Sequence, residues 1–339
     1  MLIDLRSDTV TKPSSAMLQA MINAKVGDDV FSEDPTVIEL EKLVASLFKK
    51  ESALFCASGT MANQIAIKCH TQPGDEVICD NLSHVYNYEG GGIAFLSGAS
   101  VKLINSERGI FSVQQITEAI NPEHNVHFPI SRLVVIENTC NKGGGSVWRQ
   151  KDIQEIKKVC DEKKLKLHLD GARLFNALTE TKESTLEYGK LFDSISICLS
   201  KGLGAPIGSV LVGDNTFITK ARRIRKVLGG GMRQAGYLAA AGIYALENNI
   251  ERLKDDHSRA KEIEQLLLKL SFIESVKPVE TNIVLCKVSP SYSSEKLLEK
   301  LKEKNVLLIE MGNNTIRAVT HLDFSDTMLK QLTSVLKKI

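Results

Sequence analysis

No stretch of this 339-residue sequence approaches the roughly 20 consecutive apolar residues that a membrane-spanning helix needs. The opening segment, MLIDLRSDTVTKP, carries charges at positions 4, 6 and 8 and lacks the apolar centre of a signal peptide. Neither sign of charge is in excess: 43 Lys and Arg stand against 41 Asp and Glu, for a net charge of +2. That balance argues against a nucleic-acid partner or an acidic tail. The seven cysteines are scattered, with no CxxC pair and no His/Cys cluster at zinc spacing, so no metal is expected. They read as reduced thiols, and a cytoplasmic protein with no membrane partner is expected. There is no GxGxxG and no Walker lysine, which disfavours nucleotide and nicotinamide chemistry. Internal repeats and low-complexity segments are also missing.

What the chain does contain is an alternation of short apolar runs and amphipathic stretches. Strands are predicted at 52–57, 76–80, 101–104, 132–137, 165–170, 194–200 and 208–213. Helix-length intervals separate most of them, including Thr60–His70, Val113–Ile120 and Asp152–Lys163. This pattern predicts an α/β fold with a mostly parallel seven-stranded sheet covered on both faces. After Gly236 the character changes. Residues 237–270 carry apolar residues at helical spacing, with a break expected near Asn248–Asn249. Strands at 283–288, 306–309 and 315–319 and helices at 293–304 and 325–337 then predict a small C-terminal α+β domain. The expected division is an N-terminal arm over 1–25, a large domain over 26–240 and a small domain over 241–339.

Two residues at strand ends carry the first chemical signal. Asp170 closes LKLHLD, and Lys201 follows SISICLS and precedes Gly202, Gly204 and Pro206. Ligands of open α/β sheets sit outside the carboxyl ends of the strands, where both residues lie. A carboxylate there can keep a pyridine nitrogen protonated, and an amine can form an imine with an aldehyde. Those are the needs of pyridoxal 5'-phosphate (PLP). Asp-Gly after a strand is also a common turn, so the pair carries more than either residue alone. Arg173, three residues after Asp170, faces the same crevice. In CASGTMANQIAI, Ser58, Gly59 and Thr60 join a strand to a helix start, which offers free N–H groups and hydroxyls to a phosphate. His84 and Glu89 follow the strand at 76–80, and a histidine there can stack on a flat ring. Glu137, Asn138 and Thr139 emerge at the same edge. Arg233 lies in the glycine-dense GGGMRQAG. Arg317, in TIRAVTHLD, is the small domain's best carboxylate ligand, since a guanidinium grips a carboxylate with two parallel bonds.

Taken together, IDLRSDTVTKPS, VGDDVFSEDPTV, SGTMAN, HLDGARLFNA, ICLSKGLGAPIGSVLVG, GGGMRQAG and VTHLD resemble the L-threonine aldolases, PLP enzymes of fold type I. The resemblance runs over essentially the whole chain. It implies that Lys201 binds PLP covalently, that Asp170 partners the ring nitrogen and that Gly59 and Thr60 hold the phosphate. It also implies that Arg233, from an adjacent subunit, supplements the phosphate site and that His84 stacks on the ring. Ser7, Arg173 and Arg317 would grip the α-carboxylate of an amino-acid substrate, and His127 would stand near its hydroxyl. The base is left among His84, His127 and a water near Glu89. The implied reaction is retro-aldol cleavage of L-threonine, L-allo-threonine and related 3-hydroxy amino acids to glycine and an aldehyde, by a homotetramer with sites at a dimer interface. A β-eliminating lyase of the same fold type and a non-catalytic PLP-fold protein are the alternatives. One departure stands out: the family's ENTHN reads ENTCN here, so Cys140 replaces a histidine in the region of the hydroxyl pocket.

Overall fold

A computed structural model describes all 339 residues. A two-residue strand β1 (Ile3–Asp4) opens the chain. The central sheet is built from β2 (Ser52–Cys56), β3 (Asp75–Asp80), β4 (Ser100–Ile104), β5 (Ile130–Glu137), β6 (Lys166–Gly171), β7 (Ser194–Cys198) and β8 (Ser209–Gly213). Their spatial order is β2-β8-β7-β6-β5-β3-β4, with β8 alone antiparallel to its neighbours. The mostly parallel seven-stranded sheet is therefore as expected. Because β8 pairs with both β2 and β7, Cys56 and Cys198 lie opposite the same residue, Ser209. The ends of β2, β3, β5, β6 and β7 thus open at one edge.

Alternation along β6 decides what that sheet carries. Successive strand residues face opposite sides. In KLHLDG, Leu167 and Leu169 enter the main apolar core with Val134, Ile136, Ile195 and Ile197. His168 and Asp170 face the other side, under the helix Gly59–His70, whose Ala62, Ile65 and Ala66 are also buried. Ser58 starts that helix by accepting the Met61 N–H on its hydroxyl. One face of the sheet is therefore apolar, and the other holds a buried polar stripe.

The helical stretch after Gly236 breaks as expected, into Gly236–Asn248 and Leu253–Leu267. A four-stranded antiparallel sheet follows, from β9 (Ile273–Val276), β10 (Ile283–Val288), β12 (Ile309–Glu310) and β13 (Thr315–Val319), in the order β12-β13-β10-β9. The strand expected over 306–309 is divided: β11 (Val306–Leu307) leaves this sheet and pairs in parallel with β1. Ile3 and Leu5 are fully buried in the small apolar core with Val306, Ala318 and Phe324. Burial of each contributes about 1.5–3 kcal/mol, so the start of the chain is fixed to the C-terminal body. Along the helix Leu253–Leu267, Leu253 belongs to the large core and Ala260, Ile263, Leu266 and Leu267 to the small one, so the two meet within it. No helix is long and apolar enough to cross a membrane.

Candidate active site

The carboxyl edge of the central sheet and the docked N-terminal segment bring most of the expected residues together. Asp170 ends β6 with its side chain buried. Its Oδ1 accepts the Ala172 N–H at 3.1 Å, and its Oδ2 is buried with no partner. An orphaned carboxylate oxygen is costly unless a donor arrives. Lys201 follows β7, and its ammonium makes no hydrogen bond or ion pair within the chain; only its carbonyl is engaged, by Gly204 N–H and the Thr11 hydroxyl. Cys198 ends β7, three residues before Lys201. Burial pushes its thiol up, and the charges of Lys201, Asp170 and Arg173 all reach it.

Gly59 lies directly over that sulfur. A Cβ at Gly59 would stand 2.5 Å from Cys198 Sγ, so only glycine allows the turn to pass this close. The N–H groups of Gly59 and Thr60, at the first two helical positions, have no intrahelical acceptor. Ser58 and Thr60 are exposed. An unpaired buried acceptor, a free amine and an open pair of N–H groups fit the ring nitrogen, aldehyde and phosphate of PLP. Gly59→Ala is expected to cost about 1–3 kcal/mol of stability through overpacking and to weaken PLP retention. Adding Cys198→Ala should restore most of the stability, as thermal unfolding of the single and double variants will show.

A second cluster joins the two bodies. Arg173 is buried, and its Nε and Nη2 donate to the Asp8 carboxylate at 2.7 and 2.6 Å, which leaves Nη1 free. Burial works against the Asp8 charge, but Arg173, Lys201 and Asn282 outweigh it and hold the carboxyl at about 2. Arg173 is thus held from behind by an acid that the sequence did not single out. Arg317, on β13, donates to Asn141 Oδ1 at 2.8 Å and to the Arg6 carbonyl at 2.9 Å, while its buried Nε has no partner. Burial, with the charge of Arg173 nearby, pulls this guanidinium down to about 10. It has no carboxylate partner within the chain. Ser7 borders the pair and caps the short turn Asp8–Val10, accepting the Thr9 N–H.

His84 lies across from Asp170. Candidate ligand atoms of His84, Glu89 and Asp170 fall within 4.8 Å of one another. The His84 ring contacts Tyr88 at a centroid distance of 5.4 Å. Burial opposes its charging, but the hydrogen bond to Glu89 and the charges of Asp170, Glu89 and Glu137 outweigh that and raise its pKa. Glu137, at the end of β5, holds two loops by accepting the His84 N–H at 2.8 Å and the Asn141 N–H at 2.9 Å. Burial and the facing Asp170 push its carboxyl up to about 7.

Four expected residues are placed differently. Glu89 is not open to a ligand: its carboxylate is buried and occupied by Asn63, Gln64 and His84. His127 precedes β5 and so lies at the amino edge of the sheet, an entire strand away from Glu137, exposed beside Val126 and Phe128. Within one chain it takes no part in the cluster. Arg233 is exposed and paired with Asp28 at 2.8 Å, over the Phe31 ring, and makes no bond to the Ser58–Thr60 turn. Only its glycine neighbour Gly230 approaches that turn, at Met61. The Cys140 sulfur packs against Gly109 rather than bonding to the cluster. Cys140 is buried, and its backbone bridges to Ser146.

Comparisons with known proteins show the family of the chain. A family profile described as Beta-eliminating lyase matches residues 4–291. A probable low-specificity L-threonine aldolase 2 from Arabidopsis thaliana is 41% identical over 343 residues, covering 99% of this chain and 97% of the plant protein. A low specificity L-threonine aldolase from Escherichia coli K12 is 42% identical over 332 residues, covering 98% and 97%. A solved threonine aldolase from Leishmania major superposes with a TM-score of 0.85 at 22% identity over 99% of each chain, a likeness of fold.

Proposed function

The chain belongs to the low-specificity L-threonine aldolase family, and from that premise we infer which of its residues do the chemistry. It is a PLP-dependent aldehyde-lyase that cleaves the Cα–Cβ bond of L-threonine to give glycine and acetaldehyde. Bound PLP supplies the electron sink for a bond broken at Cα. In our reading Lys201 binds it covalently, Asp170 Oδ2 accepts from its ring nitrogen, and the Ser58–Thr60 turn takes its phosphate. The single observation that carries this assignment is the buried, partnerless Asp170 Oδ2 at the same edge as an unpaired lysine.

The substrate carboxylate is received by Arg317, with the free Nη1 of Arg173 and the Ser7 hydroxyl beside it. Holding the amino acid at its carboxylate and its nitrogen sets which Cα bond is broken. His84 then takes the β-hydroxyl proton, backed by Glu89, in the usual arrangement of a base oriented by a carboxylate. We assign the base to His84 because Glu89 is fully engaged and His127 stands at the far edge. The reading also includes a homotetramer in which Arg233 serves a neighbouring subunit's phosphate site. The exposed Phe31, Phe95 and Val227 support such an assembly. Seven unpaired cysteines support a cytoplasmic setting.

Incubation with L-threonine tests the reaction class. Glycine and acetaldehyde in equal amounts are expected, whereas 2-oxobutyrate and ammonia would mark a β-eliminating enzyme. Arg317→Leu tests the carboxylate site. Loss of charge-assisted bonds worth about 1.5–3 kcal/mol each should raise KM for L-threonine roughly 10²-fold, with the visible absorbance of bound PLP unchanged.

A further inference from the structure

A run of buried polar side chains continues from His84 beneath the helix Gly59–His70. His84 Nδ1 lies 3.0 Å from Glu89 Oε1. Asn63 Nδ2 donates to the same oxygen at 2.9 Å, and Gln64 Nε2 donates to Oε2 at 2.6 Å. Asn63 Oδ1 lies 2.6 Å from Ser196 Oγ and 3.2 Å from His168 Nε2. His168 Nδ1 is 2.8 Å from Ser194 Oγ, which is 2.8 Å from His70 Nε2.

With Glu89 as a carboxylate, donor and acceptor chemistry gives this chain one direction. A carboxylate only accepts, so Asn63 turns its NH2 to Glu89 and its carbonyl oxygen to Ser196 and His168. That oxygen also only accepts, so His168 carries its proton on Nε2. His168 Nδ1 then accepts the Ser194 hydroxyl proton, and the Ser194 oxygen accepts from His70. Burial takes His168 down to about 3 and His70 down to about 4. Both are therefore neutral rings with one proton each. Gln64 gives its NH2 to Glu89 even though its own Oε1 is then buried with no partner. Every link donates toward Glu89.

We propose that Asn63 and His168 are positioning residues for the cleavage: their chain keeps Glu89 a pure acceptor, so His84 holds its proton on Nδ1 and presents Nε2 as the base. This deepens the aldolase reading and rests on it. The opposite state is well defined. His168 Nδ1 also lies 3.1 Å from the Ser194 carbonyl. A proton there would leave Nε2 bare, flip the Asn63 amide, set its carbonyl against Glu89 and place a proton on Glu89. The Glu89 charge that favours a proton on His84 Nδ1 would then be gone, and His84 protonated on Nε2 instead is unable to accept from the substrate.

Neutron diffraction from the deuterated holoenzyme, at a pH high enough for neutral His84, separates the two states. Deuterium on His168 Nε2 and His84 Nδ1, with none on Glu89, is expected. Deuterium on His168 Nδ1 or on Glu89 overturns the proposal, while the products formed from L-threonine judge the aldolase reading independently. Asn63→Leu should lower kcat by roughly 10²–10⁴-fold, as loss of a base in the right tautomer does, with KM and the visible absorbance of bound PLP retained. A folded variant with undiminished kcat would overturn the proposal. If the variant does not fold, the neutron map of the unaltered enzyme decides alone.

Discussion

Lys201→Ala is expected to lower kcat for L-threonine by roughly 10⁵-fold or more, the scale seen when a covalent catalyst is removed. It should also remove the visible absorbance of covalently held PLP. Arg at the same position separates charge from nucleophilicity. The Lys201 ammonium helps hold the Asp8 carboxyl low, and a guanidinium would keep that charge. Because arginine stays protonated it forms no imine, so Lys201→Arg should be as inactive as Lys201→Ala while Asp8 and Arg173 stay in place. Stopped assays on L-threonine, paired with absorbance spectra, check both variants. An active Lys201→Arg enzyme would mean that the residue serves only as a positive charge.

The second large effect is expected from Asp170→Asn. The buried Oδ2 has no partner in the chain, and an amide there cannot keep a ring nitrogen protonated. Removing one member of a buried charged pair costs about 3–5 kcal/mol, so kcat should fall by roughly 10²–10⁴-fold with Lys201 still able to bind PLP. A second consequence is electrostatic. Glu137 sits opposite Asp170 in the register of β5 and β6 and is pushed up to about 7 by burial and by that neighbour. With the Asp170 charge gone, Glu137 should ionise at lower pH, as infrared titration of its carboxyl band will show. A kcat within tenfold of the unaltered enzyme would remove Asp170 from the role given to it.

Much of this architecture was legible because it depends on short-range patterns. Each of the seven central strands is an apolar run of five to eight residues bounded by turn-forming or helical segments, and each lies where the pattern placed it. The strand-end residues Asp170, Lys201 and Gly59 could be found because a mostly parallel sheet sends its carboxyl ends to one edge. What could not be read depends on long-range pairing. β1 is two residues long and acquires its structure only by pairing with β11, some 300 residues away. Asp8 looks like any acid in a polar segment until the chain start docks and sets it against Arg173. Glu89 could be placed near His84 from the sequence, but Asn63 and Gln64, which occupy its carboxylate, come from a different helix. The one hint was the L-H-L-D alternation of β6, which puts His168 on the same face as Asp170. His127 shows the opposite error: a histidine just before an apolar strand sits at the amino edge, away from the ligands.

We propose that PLP is bound at the edge defined by Asp170, the Ser58–Thr60 turn and Lys201. Borohydride reduction of the purified holoenzyme, followed by proteolysis and mass mapping, tests it most directly. One phosphopyridoxyl group per chain is expected, on Lys201 within SISICLSKGLGAPIG, with loss of that label when Gly59 is replaced by a bulky residue. A label on any other lysine, or a protein that PLP reconstitutes without labelling Lys201, would contradict it.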